Sequence, residues 1–347
     1  MNTQIQKELA VELPKGFTAR GAIMDDVEPA LVLYNRWSRS VMGRDEITDP
    51  QAIRNEWVSP GFDPTDDIRV VFAPNGQMVG YIEVWTTARP PVHPWVWGRV
   101  DPEYEGMGVG TWMMHWAEQR ALRALKDLPA ELRFAPRVGT VREAERPKML
   151  FEELGYRHIR SSYHMLIEMA APVPEAEFPQ GITIRTYRPD IDAAAVYQAT
   201  EDSFRDHFGF VEEPFEEGLK RFRHFWINDD IDPTLLFLAM DGPSGEIAGV
   251  NLCRPHQNGI LDPDQGWVGT LGVRRPWRKR GLGLALLRHS FNEFYRRGRR
   301  KVGLGVDAQN LTGALRLYET AGMHVHQTFD QYEKELREGT EISVQSL

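Results

Sequence analysis

The chain has 347 residues, 41% of them hydrophobic and 26% charged, which is enough for two soluble globular domains that each bury a core. The formal net charge of -9 argues against a general nucleic-acid-binding protein, and the apolar runs are too short to cross a membrane. The single cysteine, Cys253, excludes an intrachain disulfide and favours a reducing, cytoplasmic location; its strand-like apolar surroundings predict a buried thiol.

Strands and helices alternate in the predicted plan of the first half. The elements, in chain order, are predicted as strands at 17–21, 68–73 and 78–85, a strand ending at Val100, a helix at 110–126, a strand at 132–138, a helix at 147–154 and closing strands. A glycine-rich turn, EGMGVG (105–110), precedes the long helix. A proline- and alanine-rich segment, 170–179, then predicts a linker.

The second half predicts the same plan. Its elements are predicted as a strand at 182–186, helices at 192–204 and 214–226, strands at 234–240 and 246–253, a strand ending at Val273, a helix at 283–298, a strand at 301–307, a helix at 312–321 and closing strands. A helix between two strands implies a parallel pair, so each half predicts an α/β domain with a mixed sheet.

An internal repeat supports this duplication. LPKGFTAR (13–20) corresponds to FPQGITIR (178–185), and Asp25 and Asp190 keep the same offset. Three further pairs follow in order: NGQMVGY with SGEIAGV, VDPEYEGMGVG with VRRPWRKRGLG, and LFEELGY with LYETAGM. The predicted domains are therefore 1–169 and 180–347, joined by the linker.

The strongest local signal is the turn RKRGLG (278–283), which follows an apolar strand and opens an amphipathic helix. Backbone amides at a helix N-terminus, left accessible by glycine, bind anions, and basic side chains add charge-assisted hydrogen bonds. The pattern predicts a pyrophosphate site. A merely solvated turn and a nucleic-acid contact are the alternatives, and a P-loop is excluded because no Gly-Lys-Ser/Thr closes the turn.

RKRGLG resembles the Arg/Gln-x-x-Gly-x-Gly/Ala acyl-CoA signature of the GCN5-related N-acetyltransferases (GNAT). VDAQNLTGALRLYETAGM (306–323) resembles that family's next strand, asparagine-containing turn and tyrosine helix, and the family pattern fits 180–337. The tandem arrangement is similar to that of mycothiol-synthase-like, two-domain members. The resemblance implies an acetyl-CoA-dependent N-acetyltransferase that acts on a primary amine, on a small molecule, by direct attack in a ternary complex.

The resemblance also implies residue roles. Backbone amides of Leu271, Gly272 and Val273 would hold the pantetheine and the thioester carbonyl, and Asn310 would lie near the pantetheine arm. Tyr318 would act as the general acid that protonates the leaving thiolate. The pyrophosphate would lie on Arg278, Lys279, Arg280, Gly281, Leu282, Gly283 and Leu284. No metal is expected.

The general base is left open, because strand 267–273 contains no Glu, Asp or His. The candidates in the preceding loop are His256, Asp262 and Asp264, and those on the acceptor-side helix are Glu201, Asp206 and His207. Each is also compatible with a solvated surface residue. Aromatic residues in 204–210 and 222–226 predict either an acceptor pocket or core packing.

The first copy differs at the equivalent positions. Glu105 stands where Arg278 does, Met107 replaces Arg280 and Phe151 replaces Tyr318. We therefore expect a degenerate domain with a packing role, and a second active site in this copy is the alternative. A non-catalytic acyl-CoA sensor and a protein N-acetyltransferase are the alternatives for the whole chain, and the acceptor, acyl-chain preference and oligomeric state are left open.

Overall fold

The computed structural model describes residues 12–45, 48–226, 231–256, 262–309 and 313–345. Two compact units are present: unit 1 comprises Met1–Ile159 with Asp330–Ile342, and unit 2 comprises Arg160–Phe329 with Ser343–Leu347. These compact units differ from the predicted ranges 1–169 and 180–347, which describe the sequence repeat. Residues 160–169 belong to unit 2, and residues 330–342 belong to unit 1. The physical reason is strand pairing, as the two sheets show.

Unit 1 is a mixed sheet with helices on it. Its strands are β1 (Thr18–Arg20), β2 (Ile68–Phe72), β3 (Met78–Trp85), β4 (Trp95–Val100) and β5 (Arg137–Val141). Its helices are α1 (Val27–Met42), α2 (Pro50–Trp57), α3 (Pro64–Asp67), α4 (Val109–Leu122) and α5 (Glu145–Glu153). The strands lie in chain order and pair antiparallel, except for the parallel pair β4–β5.

Two long strands contribute to both units. β6 (Arg157–Glu168) lies mainly in unit 2, whereas β12 (His324–Glu333) ends in unit 1, where its last residues neighbour β5. Residues 162–168 of β6 pair antiparallel with residues 301–307 of unit 2. Each unit is therefore completed by a strand segment that the sequence repeat assigns to the other half.

Unit 2 repeats the plan of unit 1. Its remaining strands are β7 (Ile182–Thr186), β8 (Leu236–Asp241), β9 (Ile247–Arg254), β10 (Gln265–Val273) and β11 (Lys301–Asp307). Its helices are α6 (Ala193–Phe204), α7 (Phe215–Trp226), α8 (Leu282–Arg296) and α9 (Ala314–Thr320). The strand order is β7-β8-β9-β10-β11-β6-β12, with β10 and β11 parallel. The predicted α/β fold with a mixed sheet in each half is confirmed.

A buried ion pair marks the repeat at the start of each unit. Arg185 donates to both carboxylate oxygens of Asp192, at 2.5 and 2.9 Å, and Arg20 does the same with Asp26, at 2.6 and 2.8 Å. Both carboxylates are less than 5% exposed. The sequence offset aligned Asp25 with Asp190, but the equivalent residues are Asp26 and Asp192, because the segment between the arginine and the aspartate is one residue longer in unit 2.

Most predicted elements of regular structure are confirmed within a few residues. The exception is the strand predicted at 132–138, which begins only at Arg137. The preceding residues form isolated bridges, Leu132 with Thr340 and Phe134 with Arg337. Residues 132–134 therefore pair with the distant C-terminal segment and do not form the first half of the predicted strand.

Cys253 is 1% exposed, as predicted, and its Sγ donates to Asn251 Oδ1 at 3.3 Å. Burial raises the pKa of this thiol well above its ordinary value. Across the described part of the chain, no helix has the length and apolar character required to cross a membrane.

Candidate functional site

The parallel pair β10–β11 opens into a wedge in unit 2. Its ladder runs from Gln265 opposite Lys301 to Val268 opposite Leu304 and ends there, although β10 continues to Val273. A bulge between Val268 and Thr270 interrupts the pairing with β9 at the same level. Leu271, Gly272 and Val273 therefore have no β11 partner in the ladder. Their backbone groups on that side face the wedge, as expected for residues that hold an acyl group.

The turn after β10 forms an anion cradle. Gly281 caps α8 with a φ of 82°, and a Cβ placed there would meet no protein atom within 4 Å. The left-handed conformation favours glycine, and no side chain satisfies the first-turn amides of the helix. Leu282, Gly283 and Leu284 therefore present backbone N–H groups toward open space.

Gly283 allows three elements to approach one another. A Cβ at this position would lie 3.1 Å from Leu317 Cδ2 of α9 and 3.9 Å from Val273 Cγ2 at the end of β10. The wedge, the cradle and the tyrosine helix therefore meet here. This arrangement fits a cosubstrate that carries a pyrophosphate at one end and a narrow arm.

The basic side chains of the turn have different surroundings. Lys279 and Arg280 are exposed and stand beside the cradle. The guanidinium of Arg278, by contrast, donates to Val273 O, Ser203 O and Asp206 Oδ2, each at 2.9 Å. Arg278 thus connects the end of β10 with the last turn of α6 and with Asp206, which follows that helix. Its direct contact with a phosphate stays a prediction, and the helix amides with Lys279 and Arg280 carry the cradle.

Tyr318 lies on α9 within the hydrophobic core of unit 2, 8% exposed and packed in a cluster that includes Leu304, Val306 and Leu287. Burial raises the pKa of its hydroxyl to about 12, so the group is protonated at neutral pH. Among the described residues the hydroxyl has no hydrogen-bond partner. It can therefore offer its proton to a leaving group. Asn310 lies outside the described residues.

A cavity of about 400 Å³ lies between α6, α7 and the bulge of β10. The segment 222–226 supplies part of its aromatic lining, which supports the predicted acceptor pocket. Its lining residues are Tyr197, Glu213, Gly218, Arg221, Phe222, Phe225, Trp226, Arg254, Trp267, Gly269 and Thr270. The ring of Trp226 occupies the place where a side chain at Gly269 would stand.

The loop candidates for the general base lie at the wrong end of the sheet. Asp264 directly precedes β10, and its carbonyl accepts hydrogen bonds from Arg300 and Lys301. His256 Nδ1 lies 3.2 Å from Asp262 O. At about 3.3 Å per strand residue, Leu271 is roughly 20 Å from Asp264. These three residues support the loop and are excluded from direct proton transfer at the wedge.

The candidates near α6 have contrasting environments. Asp206 is ion-paired with Arg275 and Arg278, which lowers its pKa to about 2. Burial lowers the pKa of His207, whose ring packs 4.5 Å from that of Phe204. Burial, reinforced by the charge of Glu213, raises the pKa of Glu201 to about 7. A carboxyl group with a pKa of about 7 was not predicted from the sequence, because the shift arises from burial and from Glu213, which lies in the segment before α7.

Unit 1 retains the same wedge. The β4–β5 ladder contains only Trp95 opposite Arg137 and Val96 opposite Val138, and a cavity of about 510 Å³ opens beyond it. A Cβ at Gly110 would lie 3.0 Å from Leu150 and 3.6 Å from Val100, which mirrors Gly283. The sequence did not predict that this cleft persists.

The side chains around the wedge of unit 1 differ from those around the wedge of unit 2. Glu105 pairs with Arg146 at 3.3 Å, and burial raises the pKa of this carboxyl. Phe151, in the place of Tyr318, is buried and carries no proton donor. Arg99 stands at the position of Gly272, with its guanidinium 3.8 Å from the ring of Trp37 and 4.3 Å from that of Trp97. A stacked cation therefore lines the cavity of unit 1 at the position where unit 2 has a glycine. No cluster of metal-ligating side chains is present among the described residues.

The chain belongs to the acetyltransferase (GNAT) family, whose model matches residues 32–135 and 193–323, that is, both units. A mycothiol acetyltransferase of Salinispora arenicola is 30% identical over 262 residues, covering 73% of this chain and 76% of that protein. The corresponding Salinispora tropica protein is 28% identical over 86% of this chain and 96% of its own length.

Solved structures agree with this assignment. A GCN5-related N-acetyltransferase from Sphaerobacter thermophilus is 34% identical, covers 97% of this chain and all of that one, and superposes with a TM-score of 0.79. A tandem GNAT protein from the clavulanic acid biosynthesis pathway, 17% identical with a TM-score of 0.66, shares the fold. The predicted family, enzyme class and use of acetyl-CoA are confirmed, and the non-catalytic sensor is not favoured.

Proposed function

We propose that unit 2 carries the reaction and passes the acetyl group of acetyl-CoA directly to the primary amine of a small molecule in a ternary complex. The observation that carries this proposal is the early end of the β10–β11 ladder beside the Gly281 cradle. It leaves backbone donors at the place where a thioester oxygen would develop negative charge. The cofactor roles of Leu271–Val273 and residues 278–284 rest on this geometry and on the family resemblance, whereas that of Asn310 rests on the resemblance alone.

Tyr318 is the proposed general acid of this reaction. A neutral amine attacks the thioester carbonyl, the C–N bond forms and the C–S bond breaks. Tyr318 gives its proton to the leaving thiolate and regains one from the newly bonded nitrogen. The raised pKa of its hydroxyl, about 12, keeps the proton available across the neutral range.

The acceptor is a small polar amine. The cavity of about 400 Å³ combines the indoles of Trp226 and Trp267 with Glu213, Arg221 and Arg254. Aromatic faces favour a cationic group, the charged side chains favour a polar molecule, and the volume suits a small one. The mycothiol acetyltransferases among the relatives direct attention to the amine precursor of mycothiol.

Unit 1 is proposed to be a degenerate copy with a packing role. Its stacked Arg99 stands at the position of Gly272, and its Phe151 lacks the proton donor that unit 2 has. We keep 1–169 and 180–347 as the ranges of the two domains in the sense of the repeat. The lone buried cysteine continues to favour a cytoplasmic location.

An amine panel tests the proposal. The full-length protein is incubated with acetyl-CoA and small primary amines, including the precursor of mycothiol, and free thiol is measured. We expect amine-dependent thiol release with one amide formed per thiol. Release that no amine accelerates would remove the proposed function.

A further inference from the structure

Glu201 lies in a segment of α6 that contacts both the acceptor cavity and the end of β10. It lies on α6 one turn after Tyr197, which lines the cavity, so both side chains share a face of the helix. Two residues later, Ser203 touches the acyl-holding strand: a Cβ at Gly272 would lie 2.8 Å from Ser203 Cβ. The same stretch of helix therefore contacts the amine cavity and the thioester strand.

The neighbouring carboxylates are already engaged. Asp202 pairs with Arg274 at 3.1 Å, Asp206 pairs with Arg275 and Arg278, and Glu213 pairs with Arg221. Glu201 has neither an ion pair nor a hydrogen bond within the described residues. Of these four carboxylates, Glu201 is therefore the one that can bind a substrate cation without displacing an arginine.

The charges that face Glu201 come from two helices and the turn between them. Burial is the main cause of its raised pKa, and Glu213 and Asp202 act in the same direction. Arg221 and Arg205 oppose them, and the balance leaves the pKa at about 7. A group that titrates near the working pH can both accept and release a proton within one turnover.

We propose that Glu201 is the general base that deprotonates the acceptor's ammonium, an assignment that rests on the acetyl transfer proposed above. The carboxylate binds R–NH3+, takes one proton to become the carboxylic acid, and leaves R–NH2 to attack the thioester carbonyl. After the amide and the thiol have left, Glu201 releases its proton to solvent. The sum is R–NH3+ and acetyl thioester giving amide, thiol and one proton.

The competing base is His207, which is half-buried beside Phe204 and faces Arg278, Asp206 and Asp307. Its pKa is lowered below the ordinary histidine value, so it would lose its proton at a lower pH than Glu201. The pH at which the rate levels off therefore separates the two residues.

The experiment compares wild type with Glu201→Gln and with Glu217→Gln, an exposed carboxylate on α7 that removes the same charge. We expect wild-type kcat/KM to rise about tenfold per pH unit below 7 and to level off above it. Glu201→Gln should be about 100-fold slower at pH 7 and at most tenfold slower at pH 9, because neutral amine becomes available from solution. Glu217→Gln should follow the wild-type profile.

Several outcomes would overturn the assignment: a Glu201→Gln rate within threefold of wild type at pH 7, a deficit of equal size at every pH, or a wild-type profile that levels off well below pH 6.5. Circular dichroism and calorimetric CoA binding establish that the variant is folded. Should it not fold, wild type with amines of different basicity decides, because a limb that moves with the amine's own pKa excludes Glu201. Absence of turnover in wild type removes the proposed function instead.

Discussion

At the scale of single residues, Tyr318 combines a packing role for its ring with a proposed catalytic role for its hydroxyl. It packs in a hydrophobic cluster, and its hydroxyl makes no hydrogen bond within the described part of the chain. The hydroxyl therefore contributes little to folding. Its presence is then explained by what it does with a proton.

Replacing Tyr318 by phenylalanine is therefore expected to separate stability from catalysis. The variant keeps the ring and should lose at most about 1 kcal/mol of stability. Its kcat should fall roughly 10²- to 10⁴-fold with little change in cofactor affinity, measured with saturating substrates and by calorimetry. Tyr295→Phe, whose hydroxyl makes only a 3.5 Å contact with Ala170 O, is the matched control. Wild-type turnover in Tyr318→Phe would make Tyr318 a packing residue.

The same scale shows how far the sequence could predict the site. Gly281, Gly283 and Tyr318 lie in short motifs, so their positions follow from local pattern. The engagement of Arg278 by Asp206 spans 72 residues, and no local pattern encodes it. The raised pKa of Glu201 likewise depends on burial and on Glu213, which only the packed helices bring about.

At the scale of elements, the sequence predicted the limits of strands better than the pairing between them. The predicted strands 78–85 and 301–307 have the observed limits. The point where β10 separates from β11 was implied only by the family resemblance, because strand length follows from hydrophobic pattern whereas pairing depends on the bulge at Gly269. The function depends on that separation.

Equivalent glycines in the two units test which wedge binds the cosubstrate. Gly283→Val and Gly110→Val each place a side chain against one leucine and one valine, at 3.1 and 3.9 Å or at 3.0 and 3.6 Å, so their packing costs are similar. We expect Gly283→Val to abolish acetyl-CoA binding in calorimetry, because the side chain crowds the helix amides. Gly110→Val should bind one acetyl-CoA per chain, like wild type. The reverse result, or a wild-type stoichiometry of two, would contradict the assignment of an inert first unit.

At the scale of the whole molecule, the packing units do not coincide with the repeats. Unit 2 depends on β6, whose residues Ser162–Glu168 pair with the entire length of β11. Met165, Leu166 and Ile167 are each less than 8% exposed within this strand. The sequence repeat predicted two domains correctly in number, but it could not show this exchange, since the exchanged segments occupy equivalent positions in each copy.

Cutting the chain at the linker should therefore fail. A fragment 175–347 lacks the three buried side chains of β6, a loss of roughly 4.5–9 kcal/mol at about 1.5–3 kcal/mol each, which is comparable with the stability of a whole domain. We expect it to unfold without a cooperative transition in a thermal melt followed by circular dichroism. A fragment 157–347, which restores β6, should melt cooperatively. Equal melting of the two fragments would show that β6 is dispensable.

The pairing of residues 330–342 with the rest of unit 1 also constrains the order in which the two units can be completed. Arg133 of unit 1 pairs with Glu333 and Glu335 at 2.6 Å and with Glu341 at 3.0 Å, and Phe134 N donates to Arg337 O. These partners follow Arg133 in the chain by 200 to 208 residues. Multidomain chains commonly fold their N-terminal part first as it emerges. Here the first unit stays one strand short, with the edge of β5 exposed, until unit 2 has been synthesised as far as Phe329, so the half that is made first is completed only after most of the second.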